Sequence, residues 1–66
     1  MYYVYILLNK SGNRTYVGST KDVIKRIREH NSGKVKSSKP YRPYKLLQME
    51  TFQTEKEARQ KEQYYK

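Results

Sequence analysis

The sequence predicts a small α+β domain: a single layer of sheet covered by helices, in the order β-β-α-β-α. Two observations support this fold. The N-terminal run is β-branched and aromatic, and two later segments combine helical periodicity with capping residues. The chain has 66 residues and no cysteine. We therefore expect one domain over residues 1–66, with a small core and no disulfide or thiolate metal site.

The first two strands are predicted to form a hairpin. Residues 2–8 carry apolar side chains at both parities, which is typical of a central strand covered on both faces. Residues 10–13 have turn chemistry, and Gly12 or Asn13 can take a positive φ there. Residues 14–18 form the second strand, and the hairpin brings Tyr5 and Tyr16 into one neighbourhood.

The first helix is predicted to begin at a Ser19 or Thr20 cap and to run to about Asn31, with Gly33 ending it. Asp22 falls in its first turn, where the macrodipole favours a negative charge. The helical period predicts an apolar stripe, an opposite polar side and a border between them. The stripe contains Val23, Ile24, Ile27 and Asn31, the polar side Lys21, Lys25, Arg28 and Glu29, and the border Arg26 and His30.

The C-terminal half is predicted to contain a loop, a strand and a helix. Residues 32–42 lack apolar periodicity, and residues 44–49 alternate loosely as a third strand. Thr54 and Glu57 form a capping box for the last helix. Ala58, Glu62 and Tyr65 share one face of it, which places a carboxylate on the only stripe that can dock. Glu62 is then either a functional group, a salt-bridge partner of Arg26, or part of a frayed helix end.

The charge of the chain favours a polyanionic partner. Fifteen Lys and Arg residues against six Asp and Glu residues give a formal net charge of +9. Such a basic small domain is typical of a nucleic-acid-binding protein. No segment approaches the roughly 18 apolar residues of a membrane span, and the N-terminal run lacks the features of a signal peptide. We therefore expect a cytoplasmic protein that does not bind membranes.

An ordered set of motifs resembles the GIY-YIG nuclease domain, in particular its small stand-alone bacterial members. The set consists of Tyr3-Val4-Tyr5, Tyr16-Val17-Gly18, Arg26, His30 and Glu62. The resemblance covers essentially the whole chain, although Tyr3 stands where the first motif has glycine and valine replaces isoleucine in both. It implies the family fold, a three-stranded, largely antiparallel sheet flanked by helices.

The resemblance also implies an activity, a metal-dependent endonuclease that cleaves DNA with weak sequence specificity, in repair or recombination. Glu62 would hold one Mg²⁺ or Mn²⁺ ion, and Arg26 would bind the phosphate. Tyr16 would hydrogen-bond the water or the phosphate. The general base is either Tyr5 or His30, and the sequence leaves that choice open. Branched, damaged or single-stranded DNA are the candidate substrates.

The remaining cations are expected to contact backbone phosphates without reading sequence. These nucleic-acid-binding residues are Lys25, Arg28, Lys34, Lys36, Lys39 and Arg42. Tyr41 and Tyr44 either stack on an unpaired base or pack in the core. Two alternatives to the enzyme stay open. One is a non-catalytic nucleic-acid-binding module of the same fold, and the other is an accessory domain that binds an acidic partner.

Overall fold

A computed structural model of the protein describes residues 1–36 and 39–66. Its elements follow the predicted β-β-α-β-α order, with one short 3-10 helix inserted. They are β1 (Tyr2–Asn9), β2 (Thr15–Thr20), α1 (Val23–Ser32), the 3-10 helix (Lys39–Tyr41), β3 (Tyr44–Phe52) and α2 (Glu55–Tyr65). The predicted loop over residues 32–42 is therefore partly helical, and its Ser37 and Ser38 lie outside the described residues.

The three strands form one antiparallel sheet with β1 in the centre, in the order β2-β1-β3. This confirms the predicted α+β fold and the predicted central position of the first strand. Tyr5 pairs with Gly18 on one side and with Met49 on the other. The pairing with β3 shifts by one residue between Ile6 and Leu7, so β3 carries a bulge at that point.

Side chains of the β1–β2 turn fix the hairpin locally. The buried Asn9 accepts a hydrogen bond from the backbone N–H of Arg14 at 3.0 Å and donates to Asn13 Oδ1 at 2.9 Å. Gly12 takes the predicted positive φ, at 75°, whereas Asn13 does not. Short polar side chains within the turn therefore hold its conformation, and the Lys10 N–H also donates to the Pro43 carbonyl at 3.0 Å.

Helix α1 begins two to three positions later than the sequence predicts. Asp22 is the N-cap, and its carboxylate accepts the backbone N–H of Lys25 at 3.1 Å. The Thr20 hydroxyl instead accepts the N–H of Asp22 at 3.1 Å. The prediction of a Ser19 or Thr20 cap is therefore wrong, because both residues still belong to β2. The predicted stop at Gly33 is confirmed by its φ of 86°.

Helix α2 has the predicted cap and the predicted docking face. Thr54 Oγ1 accepts the backbone N–H of Glu57 at 3.2 Å. Ala58 is fully buried, while Glu62 and Tyr65, one and two turns later, are partly buried. The small Ala58 side chain thus allows close approach of α2 to the sheet, and Glu62 follows on the same stripe.

The two helices cover opposite faces of the sheet. Tyr5 and Leu7, which project from the same face of β1, form a core cluster with Val23 of α1. Ser19 and Glu50, the two register partners of Val4, both hydrogen-bond to side chains of α2. Paired residues share a face, so α1 covers the Tyr5 face and α2 covers the Val4 face.

The buried stripe of α1 differs from the predicted one. Ile24 is 67% exposed, whereas His30, predicted at the border, is fully buried. Val23, Ile27 and His30 form the inward stripe at i, i+4 and i+7. Two residues account for the rotation of the stripe: His30 finds partners inside the core, and Asn31 hydrogen-bonds β3 from the flank of the helix.

Candidate active site

The site is organised around Tyr5, whose side chain reaches across the sheet toward its edge. Tyr5 lies in the central strand, opposite Gly18 in the edge strand β2. A Cβ atom at Gly18 would lie 2.5 Å from the Tyr5 hydroxyl oxygen and 2.8 Å from Cζ, closer than real Cβ atoms come. The missing side chain at Gly18 therefore lets the Tyr5 hydroxyl lie over β2.

Three of the predicted site residues form one aromatic cluster. The Tyr5 hydroxyl lies 3.3 Å from His30 Nε2. The Tyr16 ring stacks on Tyr5 with centroids 6.4 Å apart and lies 4.3 Å from the His30 ring. Tyr5 and His30 are 1% and 0% exposed, whereas Tyr16 is partly exposed. Tyr16 therefore separates the buried tyrosine–histidine pair from solvent.

Burial sets the protonation state of that pair. Burial lowers the pKa of His30, and the nearby Arg26 charge lowers it further. Burial raises the pKa of Tyr5, although a hydrogen bond from Arg26 acts in the opposite direction. At neutral pH a protonated tyrosine thus faces a neutral imidazole. In the tautomer with its proton on Nδ1, His30 Nε2 accepts the hydrogen bond from Tyr5.

Arg26 connects this pair to the surface. Its guanidinium donates a hydrogen bond to Tyr5, which raises the pKa of Arg26, and its Nη1 lies 3.0 Å from Glu29 Oε1. The Arg26 side chain is 33% exposed. The helical period assigns Glu29 to the polar side of α1, yet it is half-buried because it pairs with Arg26 at i, i+3. One guanidinium therefore bridges a buried phenol and a carboxylate.

Glu62 reaches the site from α2. Its side chain is 17% exposed and accepts hydrogen bonds from Lys66, at 2.8 Å, and from Ser19. Burial alone pushes the pKa of Glu62 upward, but the two hydrogen bonds and the nearby Lys66 and Arg59 charges together outweigh it, so the pKa lies below its usual value. Glu62 is therefore ionised at neutral pH. A salt bridge to Arg26, one of the predicted alternatives, is wrong because each residue has another partner.

The five predicted site residues approach one segment of the edge strand. The Tyr5 hydroxyl lies over Gly18 on one face, and Glu62 binds the adjacent Ser19 on the other. The charge of Glu62 contributes to the raised pKa of Tyr5, so the two groups interact electrostatically around the edge of β2. Arg26, Tyr16 and Glu62 are partly exposed there, while Tyr5 and His30 lie behind them.

Sequence reasoning gave no role in the site to three residues that shape it. Gly18 makes room for Tyr5, Ser19 holds Glu62, and Glu29 pairs with Arg26. The period of two along β2 places Ser19 on the face opposite Gly18, and this signal could have identified it. The spacing of Glu29 from Arg26 likewise predicts a pair on the helix surface.

The predicted phosphate-binding cations are all exposed. Lys25, Arg28 and Lys34 line a groove of about 460 Å³ on the outer side of α1, which the acidic Asp22 and Glu29 also border. Lys39 and Arg42 lie against Gly33 at the end of the same helix. Lys36 belongs to the loop that follows α1. The cations predicted from the sequence thus follow the solvent side of one helix and its C-terminal end.

Two kinds of feature are absent from the described part of the chain, a membrane-spanning helix and a cluster of metal-ligating side chains. No helix there has the length and hydrophobicity needed to cross a membrane. Among the same residues, no group of three or more His, Cys, Asp or Glu side chains is arranged to hold a metal ion. Tyr44, predicted as a possible stacking platform, is buried and packs at 5.9 Å from the His30 ring, so it serves the core.

One family model and several curated proteins are similar to this chain. A family model described as the GIY-YIG catalytic domain matches residues 1–66. The chain is 46% identical over 55 residues to the UPF0213 protein YazA of Bacillus subtilis, covering 82% of this chain and 56% of that protein. It is 39% identical over 66 residues to a UPF0213 protein of Bacillus velezensis, covering 98% of this chain and 66% of that protein.

A third relative extends the same pattern. A UPF0213 protein of Staphylococcus saprophyticus is 42% identical over 62 residues, covering 92% of this chain and 74% of that protein. The chain thus spans less than two thirds of the length of the first two relatives. The names of these relatives state no activity. No solved structure matches the chain.

Proposed function

Because this chain belongs to the GIY-YIG catalytic domain family, a family of nucleases, we propose that it is an endonuclease that hydrolyses DNA phosphodiester bonds. One observation carries the proposal. Phenol, imidazole and guanidinium groups lie at Gly18 on one face of the edge strand, and the Glu62 carboxylate lies at Ser19 on the other face. An edge position leaves room for a DNA strand to approach these groups.

Arg26 is the phosphate-binding group of the proposed site. Its side chain is 33% exposed, and its planar guanidinium can give two parallel hydrogen bonds to a phosphate. In the free protein it donates to Tyr5 and Glu29. An incoming phosphate competes for these bonds. As the guanidinium turns toward the phosphate, the Tyr5 hydroxyl becomes accessible to water.

Tyr5 and His30 together act as the base. The raised pKa of Tyr5 argues against a free phenolate, and full burial keeps His30 from meeting the water directly. The water proton therefore passes to the Tyr5 oxygen while the Tyr5 proton passes to His30 Nε2. The water oxygen bonds to phosphorus, and the bond from phosphorus to the leaving oxygen breaks. That oxygen takes a proton from solvent.

The charge of Arg26 links phosphate binding to this proton transfer. In the free protein it lowers the pKa of His30, which weakens the imidazole as a proton acceptor. When a phosphate neutralises the guanidinium, this repulsion on imidazolium falls. The base therefore becomes stronger once substrate is bound.

Glu62 is the proposed ligand of one Mg²⁺ or Mn²⁺ ion. The residues fit such an ion: Glu62 is ionised and Ser19 adds a hydroxyl oxygen beside it. Mg²⁺ is commonly held by one or two carboxylates, with water and substrate phosphate as its other ligands. When bound, the ion would supply Lewis-acid stabilisation of the charge that develops on the phosphate. The Lys66 side chain is exposed, so it can leave the carboxylate when an ion binds.

The substrate specificity we propose is weak. The phosphate-binding cations are Lys25, Arg28, Lys34, Lys36, Lys39 and Arg42, and contacts of this kind carry no base information. Selection by DNA structure, as at a branch or an unpaired segment in repair or recombination, suits a domain of this size better than selection by sequence.

Nicking of a supercoiled plasmid tests the proposal, with a branched DNA as second substrate. The wild-type chain is expected to nick both DNAs only with Mg²⁺ or Mn²⁺. Glu62→Gln should lose at least about 100-fold in rate, because a neutral amide holds the ion poorly. Glu55→Gln is the matched control, since Glu55 lies on the same helix but pairs with the exposed Arg59.

Arg26→Lys tests the proposed phosphate contact of Arg26 separately from the effect of its positive charge. It keeps the net charge but loses the two-pronged donor, so nicking should fall while DNA affinity changes little. Equal nicking by the wild type and Glu62→Gln would refute the metal role. Equal nicking by Arg26→Lys would refute the phosphate role.

A non-catalytic nucleic-acid-binding module is the second candidate function. The observation in its favour is the near-complete burial of Tyr5 and His30 in the free protein. DNA binding without nicking, in the presence of either metal and with the fold intact, would support this candidate over the enzyme.

A further inference from the structure

A second concave surface lies beside the β1–β2 turn, away from the residues assigned to cleavage. We call it the turn cavity. It has a volume of about 510 Å³, within the range of small-molecule sites. Its lining comes from the turn on one side and from the 3-10 helix and the approach to β3 on the other, and includes Lys10, Ser11, Asn13, Tyr41, Arg42 and Pro43.

An aromatic ring is held in place in the turn cavity. Tyr41 packs against the core cluster, and the Arg14 guanidinium lies 4.3 Å from its ring centroid. These contacts keep the ring from swinging away, so little conformational entropy is lost when a flat ligand packs on it. Pro43 adds an apolar wall beside it. The cavity thus offers a rigid surface for a planar group.

Polar groups of the cavity suit the rest of a nucleotide. Lys10 and Arg42 are both exposed and supply positive charge. Asn13 Oδ1 accepts from Asn9 and Ser11 at 2.9 and 2.8 Å, which fixes the direction of the amide. No described residue accepts a hydrogen bond from the N–H groups of the Asn13 side-chain amide. They are therefore available to an acceptor on a base edge or a phosphate.

The cavity lies on the same face of the sheet as the tyrosine–histidine pair. Tyr5 and Asn9 are four residues apart in β1, which corresponds to about 13 Å at ~3.3 Å per residue. Tyr44, the register partner of Asn9, contacts the His30 ring. Four steps of a stacked strand at ~3.4 Å cover the same distance. One DNA strand can therefore contact both places at once.

We propose that the turn cavity binds one unpaired nucleotide of the DNA strand being cleaved, about four nucleotides from the scissile phosphate, with its base on Tyr41 and its phosphate between Lys10 and Arg42. The nucleotide is unpaired because a base inside a duplex stacks on its neighbours and cannot offer its face to a side chain. The inference rests on the proposed nuclease function, and it names single-stranded segments next to duplex as the substrate class.

Binding without any divalent cation tests this inference separately from cleavage. Fluorescence anisotropy would compare a blunt duplex with the same duplex carrying a six-nucleotide overhang. The wild type is expected to bind the overhang DNA more tightly. Tyr41→Ala should weaken overhang binding by roughly 5- to 150-fold, the range for losing one stacked base. Its affinity for the blunt duplex should change little.

Three further variants define the result. Tyr41→Phe keeps the ring and should keep the preference, whereas Tyr41→Leu keeps apolar packing but should lose it. Tyr64→Ala, which removes a tyrosine 77% exposed on α2, is the matched control and should bind like the wild type. Equal affinity of the wild type for both DNAs, or an unchanged preference in folded Tyr41→Leu, would overturn the inference. A failure to nick plasmid affects neither comparison.

Discussion

At the scale of single residues, His30 has the most unusual environment. It is the only histidine of the chain and is fully buried among aromatic rings. Burial and the Arg26 charge hold its pKa below the ordinary value of 6.5. The unfolded chain therefore takes up a proton below pH 6.5 that the folded protein resists, which destabilises the fold on acidification.

We predict that the free energy of unfolding falls as the pH is lowered from 7.5 to 5.0. For a single histidine with a depressed pKa, the free energy of unfolding changes by at most about 1.4 kcal/mol per pH unit. Below both the folded and the unfolded pKa it no longer changes with pH. Above about pH 6.5 the histidine has no effect on stability. Glu62 does not obscure this trend, because its depressed pKa affects the free energy of unfolding only near and below pH 4.5. Urea unfolding at several pH values measures the trend.

The single histidine also permits a direct check. NMR titration of its ring signal should give a pKa below that of the same chain unfolded in urea. A folded-state value at or above the unfolded one would contradict both the stability trend and the neutral imidazole that the proposed proton transfer from Tyr5 requires.

At the scale of elements, α1 is tied to β3 by one side chain. Asn31 Oδ1 accepts the backbone N–H of Tyr44 at 2.6 Å, and its Nδ2 donates to the Tyr44 carbonyl at 3.2 Å. β3 is an edge strand, and edge backbone groups need partners other than a neighbouring strand. Asn31 therefore hydrogen-bonds to both backbone groups of the first residue of β3. This contact aligns α1, with its His30, over the sheet.

Asn31→Ala is predicted to destabilise the fold by about 1–3 kcal/mol, because both backbone groups of Tyr44 lose their partner in a partly buried place. Urea unfolding with an unchanged m value would measure the loss. Ser32→Ala is the control, since the Ser32 hydroxyl donates to the Glu29 carbonyl of its own helix and its removal should cost under ~0.5 kcal/mol. Equal stability of the two variants would show that this tie contributes little.

At the scale of the whole molecule, charge dominates. A formal net charge of +9 lies on a protein with 4814 Å² of accessible surface. Acidic groups occupy the interior side of ion pairs, as Glu29 and Glu62 do, whereas the predicted phosphate contacts are exposed. Nonspecific attraction to DNA should therefore be strong and sensitive to salt.

Removing Lys25, Arg28 and Lys34 together, each to Ala, should reduce the salt dependence of duplex binding. The loss is about 0.9 in the slope of log K against log salt for each phosphate contact, or roughly 2.7 if all three bind. A control variant with Lys45, Lys56 and Arg59 changed to Ala lowers the net charge equally but on other surfaces. The same slope in both variants would argue against a defined DNA-binding face on α1.

Local interactions explain which parts of the fold follow from the sequence. The hairpin, the stop at Gly33 and the Thr54 cap each depend on residues within a few positions of one another. Glu62 is singled out by its place on the docking stripe of α2, but the other site residues could be named only through the resemblance of their ordered motifs to a family. The burial of His30 and Glu29 could not be predicted, because the helical period placed His30 at the border of the apolar stripe and Glu29 in solvent.

The sequence by itself determined the order of elements, the central place of β1, the docking face of α2 and the basic surface, because these depend on periodicity, caps and composition. Only the tertiary structure decided that His30 is buried against Tyr5, that Gly18 admits the Tyr5 hydroxyl, and that Ser19 rather than Arg26 holds Glu62. Each of these contacts joins residues distant in the chain, and their geometry depends on how helices pack on a sheet rather than on any local pattern.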